Sequence, residues 1–232
     1  MTNLLDLTVL DASGGSRQTQ FMPSRMFNGG LAGSDADEVE KHIKELAEIG
    51  TPPSKFIPTI YAVGSHLLTN SDLIQTHGDK TGGEVEYVLI WHEDEIFVTV
   101  GSDHTDFWLE QHSSPKAKNM CQNVIPPVAW RYEDVVDHFG ALEMDSDVHI
   151  DGEWRAYQRD LAGSLLPPVY WIDRLLERVD QSEGLVFFSG TVPALDGLVY
   201  GDAYRVRIKD PVLNRQIEHE YRCEIISGLE DF

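Results

Sequence analysis

Glu84, Glu86 and Asp103 are the residues of this chain whose types and spacing best suit shared chemistry. They lie in TGGEVEYVLIWHEDEIFVTVGSDHTD, residues 81–106. The two glutamates head an apolar run from Val85 to Trp91, and in a strand residues i and i+2 share a face. Both carboxylates therefore project to the side of Val88 and Ile90, which read as core. Like charges facing a core are costly unless something offsets them. If EVEYVLIW and EIFVTV pair antiparallel across a four-residue loop at 92–95, Trp91 faces Ile96 and Asp103 stands opposite Glu84. A shift of two residues would set Asp103 opposite Glu86. Opposed residues point to one face, so either register gathers three carboxylates at the hairpin end. Such an oxygen set suits Mg²⁺, Mn²⁺ or Ca²⁺ better than zinc. The plainer alternative is two glutamates in solvent at a strand end and an aspartate capping a turn. Gly82, Gly83 and Gly101 allow backbone to approach a ligand closely. His104 is a further donor, but continued alternation turns it away from Asp103.

Other residues carry weaker signals. His42 lies on or beside the apolar stripe Val39, Ile43, Leu46, where a histidine is usually a core residue. As a base it would have Glu45, one turn along, to orient it and stabilise its protonated form. Lys118 reads as a surface lysine, or as a cation close to the acidic cluster. Gly190-Thr191 reads as an ordinary turn, or as backbone N–H and hydroxyl offered to a ligand.

The elements that must position these residues are mostly strands. SDADEVEKHIKELAEIG, residues 34–50, is the first helix, with Ser34 as N-cap and Gly50 at its stop. Pro52, Pro53 and Pro58 break the chain after it. From Thr59 on, strands follow at IYAV, EVEYVLIW, EIFVTV, 147–157 folded about Asp151-Gly152, LVFFSGTV, YRVRIK and IEHEYRCEII. Asp196-Gly197 and Asn214-Arg215 punctuate the later ones. Short helices are predicted near 131–139 and 170–179. The pattern is that of a β-dominated α+β fold.

Composition narrows the function. The 232 residues are 41% hydrophobic and 25% charged, with a formal net charge of −21 from 39 acidic against 18 basic residues. That field repels phosphate backbones and anionic lipid, so nucleic acid and membrane surfaces are poor partners. The two cysteines, Cys121 and Cys223, are too few for a disulfide framework or a Cys-based zinc site. No apolar run approaches a membrane span and the N-terminus is not a signal peptide, so a cytoplasmic protein is expected.

GEVEYVLI followed by VGSDHTD resembles the metal-binding signature of the fumarylacetoacetate hydrolase superfamily, in which a Glu-x-Glu strand and a later Asp hold one divalent metal. The resemblance extends to His42-Ile43-Lys44-Glu45 upstream, to FIPTIYAVGSHLLTNSDLI before the Glu pair, and to Lys118 after the Asp. FFSGTVPALDGLVYGDAYRVRI then matches a Gly-Thr turn, Gly190-Thr191, and a Gly-Asp strand start, Gly201-Asp202. The motifs run in order over roughly residues 28 to 226, and resemble most a short branch of the superfamily.

The resemblance implies a single domain over 1–232, a mixed β-roll with peripheral helices. Residues 1–58 would supply N-terminal strands and a lid helix, and 59–232 the metal-binding core. It implies metal at Glu84, Glu86 and Asp103, and catalysis by His42, Glu45 and Lys118. Gly190, Thr191 and Phe107 would line the substrate, and the protein would be a homodimer. The expected reaction is metal-dependent hydrolysis of a C–C bond in a β-dicarbonyl small molecule. Decarboxylation, keto–enol isomerisation or non-catalytic binding are the alternatives. Three departures weaken the anion grip: Phe107 and Glu110 stand where the superfamily commonly has Arg and Gln, and Val63 where it often has Lys.

Overall fold

The computed structural model describes residues 4–37, 39–40, 43–44 and 56–226. In chain order the strands begin with β1 (Leu5–Leu10), β2 (Ser16–Phe21), β3 (Arg25–Gly30), β4 (Thr59–Val63), β5 (Leu68–Thr69) and β6 (Leu73–Thr76). Next come β7 (Thr81–Gly82), β8 (Val85–His92), β9 (Glu95–Asp103), β10 (Thr105–Asp106), β11 (Asn123–Val124) and β12 (Val128–Arg131). The last are β13 (Glu143–Ile150), β14 (Glu153–Leu161), β15 (Leu185–Phe188), β16 (Ala203–Asp210) and β17 (Arg215–Ile225). Beyond helical residues at 36–37, 39–40 and 43–44, three α-helices have both ends among the described residues: α1 (Phe107–Glu110), α2 (Ser114–Ala117) and α3 (Pro168–Leu176).

A ten-stranded mixed sheet runs β2-β1-β12-β9-β8-β15-β3-β4, with β11 also beside β9 and β5 beside β11. One face of it carries Val88, Ile90, Phe97, Val186 and Phe188. These cluster with Leu7 and Phe21 from one edge and Val63 from the other, so the sheet rolls around its own interior. The opposite face, with Tyr87, Leu89, Val98 and Val100, packs on Trp171 of α3 and on Val206, Ile208 and Ile217. Those last three belong to a second sheet, β14-β13-β16-β17-β6. Because β8 is covered on both faces, all its residues from Val85 to His92 are buried. The architecture is the expected β-dominated mixed roll with few helices. Among the described residues, no helix is long and apolar enough to cross a membrane.

Local expectations differ from the structure at four places. The β8–β9 connection is a two-residue turn, since His92 pairs with Glu95. Glu93 and Asp94 both take positive φ, 54° and 61°, the arrangement that matches strand twist in tight hairpins. At the start of the helix expected over 34–50, much of which lies outside the described residues, the capping carboxylate is that of Asp35, which accepts from Asp37 N at 2.9 Å; the Ser34 hydroxyl donates to Gly163 O instead. In place of a helix near 131–139 there are 3₁₀ turns at Tyr132–Asp134 and Val136–Ala141, where β-branched Val135 and Val136 disfavour α-helix. LVFFSGTV stops being a strand at Phe188, because Gly190 adopts φ 88°.

Candidate metal centre

The β8–β9 pairing carries the site. Val85 pairs with Ser102 and Glu86 with Gly101, so Asp103 falls opposite Glu84 and its N–H donates to Glu84 O at 3.1 Å. The shifted register is excluded. Alternation sends Val85 and Ser102 toward the second sheet and Glu84, Glu86 and Asp103 toward the rolled interior. Carboxylate oxygens of these three residues lie within 4.8 Å of one another. Asp103 and Glu86 are buried, at 0% and 1% exposure.

Lys118, just after α2, reaches into the same volume. Its ammonium sits 2.5 Å from Glu84 Oε2 and 2.7 Å from Asp103 Oδ2, and donates to Thr105 Oγ1 at 3.1 Å. Burial works against the charged lysine, but Asp103, Glu84, Glu110 and Glu86 outweigh it and hold its pKa well above the usual value. Burial raises the Glu84 carboxyl to about 7 against the pull of Lys118, with Asp103 adding to the rise. Glu86 is raised well above its ordinary value by burial and by Asp103. One ammonium among three carboxylates leaves two negative charges for a cation to offset. Glu86 Oε1 and Asp103 Oδ1 are buried without a hydrogen-bond partner, an arrangement native proteins seldom leave without a ligand. The all-oxygen donor set fits a hard divalent ion.

The other expected residues divide in two. Gly190 N–H donates to Glu86 Oε2 at 2.8 Å, so this amide orients a candidate ligand carboxylate. A Cβ at Gly190 would come within 2.9 Å of Ala32 Cβ, and its φ is positive, which together require glycine. The Thr191 hydroxyl is committed to the scaffold: it donates to Val85 O at 2.9 Å and accepts from Gln158 Nε2 at 2.8 Å. Phe107 opens α1, buried beside Gly82 and tilted against the Tyr200 ring at 6.1 Å. Val63 belongs to the apolar interior cluster. His42 and Glu45 lie outside the described residues.

His104 faces away from the carboxylates, as alternation requires. Its ring nitrogens meet Tyr221 OH and Thr81 Oγ1, each at 3.0 Å, and burial lowers its pKa to about 3. It is a neutral scaffold histidine.

Sequence reading missed several contributors. Gln158 of β14 accepts from Val85 N at 2.9 Å and donates to Val192 O at 2.6 Å, tying β8 to the Gly190 turn. Thr105 links Lys118 to Glu84, its hydroxyl 3.3 Å from Glu84 Oε2. Tyr61 of β4 lies close enough to Lys118 for the ammonium to oppose the burial that raises its phenol. Asn28 and Asn123 are fully buried with unpartnered amides. None of them had a charge or spacing in the sequence that set it apart.

Solved structures share this fold. A 2-keto-3-deoxyarabinonate dehydratase is similar with a TM-score of 0.64 and 15% identity, covering 89% of this chain and 75% of that one. The same enzyme complexed with magnesium and 2,5-dioxopentanoate is similar at 0.62 and 15% identity, over 89% and 74%. Cg1458 with an inhibitor is similar at 0.59 and 13% identity, over 97% and 90%. Both proteins are of the fumarylacetoacetate hydrolase superfamily, and the fold here is that superfamily's. No curated protein is significantly similar to the chain in sequence. The chain belongs to the family described as "Protein of unknown function (DUF2848)", whose signature it matches over residues 29–221.

Proposed function

We propose that this protein is a divalent-metal-dependent enzyme acting on a small β-dicarbonyl or oxo-acid substrate, and that it hydrolyses a C–C bond in it. The carrying observation is the triad of half-buried Glu84 and buried Glu86 and Asp103, with one lysine for three carboxylates and orphaned oxygens on Glu86 and Asp103. These three residues would hold Mg²⁺ or Mn²⁺. When bound, the ion supplies Lewis-acid polarisation of substrate oxygens. Lys118 keeps Glu84 and Asp103 from swinging apart and provides a positive charge for an oxygen that gains negative character. Gly190 N–H fixes one oxygen of Glu86, leaving the other for the ion. His42, with Glu45 to orient it, is the base by resemblance, drawing the proton from the attacking water. Phe107 offers an apolar ring where the superfamily commonly offers Arg, so the substrate's distal end is neutral rather than a second carboxylate.

A second reading, removal of water from a deoxy-oxo-acid, is favoured by the dehydratase among the structural neighbours. It uses the same carboxylates and needs no attacking water.

Two measurements test these readings. Added Mg²⁺ or Mn²⁺ should raise the melting temperature, because ligation stabilises only the folded state, and Asp103→Asn should abolish the rise. An undiminished rise in that variant sinks the centre as drawn. Incubation of the metal-loaded protein with a β-dicarbonyl monoacid and with a 2-keto-3-deoxy acid, in H₂¹⁸O, separates the reactions. Label in a newly formed carboxylate on a shortened carbon chain reports hydrolysis; loss of one water with the carbon skeleton intact reports the second reading.

A further inference from the structure

The face that bears the carboxylates carries another polar side chain with no internal partner. In the β11–β9 pairing Asn123 stands directly opposite Asp103, and Val124 opposite Ser102. Ser102 and Val124 turn toward the second sheet, where Ser102 Oγ meets Tyr221 OH at 2.7 Å and Val124 packs with Tyr204 and Tyr221. Asn123 therefore points the other way, to the side of Asp103. By the geometry of such pairs its Cβ lies about 4.5–5.5 Å from that of Asp103. Its neighbour across β5 is Leu68, an apolar residue of the rolled interior, so no hydrogen bond is offered from that side.

Asn123 is fully buried, and neither Oδ1 nor Nδ2 has a partner. Enclosing an unsatisfied amide is costly, whereas an apolar residue of the same shape would avoid the cost. The position is compatible with such a residue, since Leu68 already fills the adjacent one. An amide kept there at a cost, one strand from a carboxylate with an orphaned oxygen, calls for a ligand both can share.

The geometry points to Asn123 as a ligand-holding residue of the cation centre, its amide engaging the oxygens that surround a divalent ion held by Glu84, Glu86 and Asp103. This rests on the metal reading above. Magnesium and manganese take more oxygens than three carboxylates supply, and magnesium keeps several waters. A primary amide is suited to that shell, because its carbonyl accepts from a bound water while its NH₂ donates to a carboxylate or a substrate oxygen. Residues in this role commonly change metal affinity by 10–100-fold when removed. Asn28 of β3 is equally buried and unpartnered, but stands opposite Tyr61 of β4, and β15 lies between β3 and the β8 strand that Glu84 leads into.

The test is Mn²⁺ binding by titration calorimetry, alongside the melting temperature in EDTA, for wild type, Asn123→Leu and Asn123→Ala. Asn123→Leu should weaken Mn²⁺ binding by 10–100-fold while the metal-free melting temperature holds or rises. Asn123→Ala, which leaves room for water, carries the affinity readout should the leucine variant not fold, and should also bind more weakly. If wild type binds Mn²⁺ and both folded variants bind it equally well, Asn123 has no part in the centre and this inference alone falls. If wild type binds no Mn²⁺, the metal reading falls and takes this inference with it.

Discussion

Two sheets of this molecule gather acidic residues, and they treat them in opposite ways. On the outer face of the second sheet, Asp145, Asp147, Glu218 and Glu220 are interleaved with Arg205, Arg207 and Lys209. Asp145 accepts from Arg207 Nε at 2.5 Å and lies 3.0 Å from Lys209 Nζ; Asp147 lies 2.7 Å from Arg207 Nη2. Glu220 pairs with Arg205 at 2.7 Å. Burial would raise the Asp145 carboxyl, but Arg207 and Lys209 overcome it and hold the pKa below its usual value. In the rolled interior, Glu84 and Glu86 share one lysine with Asp103, and burial wins: both are raised. The difference shows that a count of acidic residues says little about function. A carboxylate whose charge the chain itself matches is part of the scaffold. A buried one left unmatched, with an oxygen that accepts nothing, marks where something from outside belongs.

Breaking the interior cluster should have the largest effect. Glu86→Gln is expected to reduce Mn²⁺ affinity about 100-fold or more, while the metal-free protein melts no lower than wild type, because a neutral amide of the same shape replaces a carboxyl whose ionisation burial and Asp103 oppose. Titration calorimetry with a parallel melt in EDTA checks both; a variant that melts lower and binds normally would reverse the assignment. Breaking the outer ladder should do the opposite. Arg207→Ala leaves the buried Asp145 with Lys209 alone and should cost about 2–3 kcal/mol in urea unfolding, below the full scale for breaking a buried pair, with Mn²⁺ affinity unchanged.

The two regions should also respond to acid with opposite signs. A carboxyl raised in the folded state, such as Glu84 at about 7, binds more protons folded than unfolded between pH 7 and 4.5. Metal-free protein should therefore gain stability as pH falls through that window, and Glu84→Gln should flatten the gain. Asp145, depressed in the folded state, contributes stability above pH 3.8 that is lost as pH falls through its lower folded value. Melting temperature against pH in EDTA reads both limbs; a wild type that only loses stability below pH 7 would contradict the raised carboxyls. The smallest effect belongs to the ladder's exposed rim. Glu218 lies 3.5 Å from Arg207 and is 43% exposed, so Glu218→Gln should change unfolding free energy by about 0.5 kcal/mol or less. A larger loss would mean that the rim works as one network with Asp145.

The amino-acid sequence determined a good part of this by itself. Alternation in two runs joined by an acidic turn gathered Glu84, Glu86 and Asp103 on one face in either of two registers; the His92–Glu95 pairing of the folded hairpin decided between them. Alternation also turned His104 away, and order of motifs identified the superfamily fold. What lay beyond reach depends on contacts between segments distant along the chain. Lys118 could be read equally as a surface residue; only the placement of α2 against β9 buries its ammonium between two carboxylates. Thr191 looked free to meet a ligand until Gln158, more than thirty residues earlier, came to occupy its hydroxyl. Asn123 carried no charge or spacing to notice, because its meaning lies in the strand beside it. Alternation is a local property of the backbone and is written in the residues; the partner a polar atom finds, or fails to find, is set by which strands become neighbours when the sheet rolls.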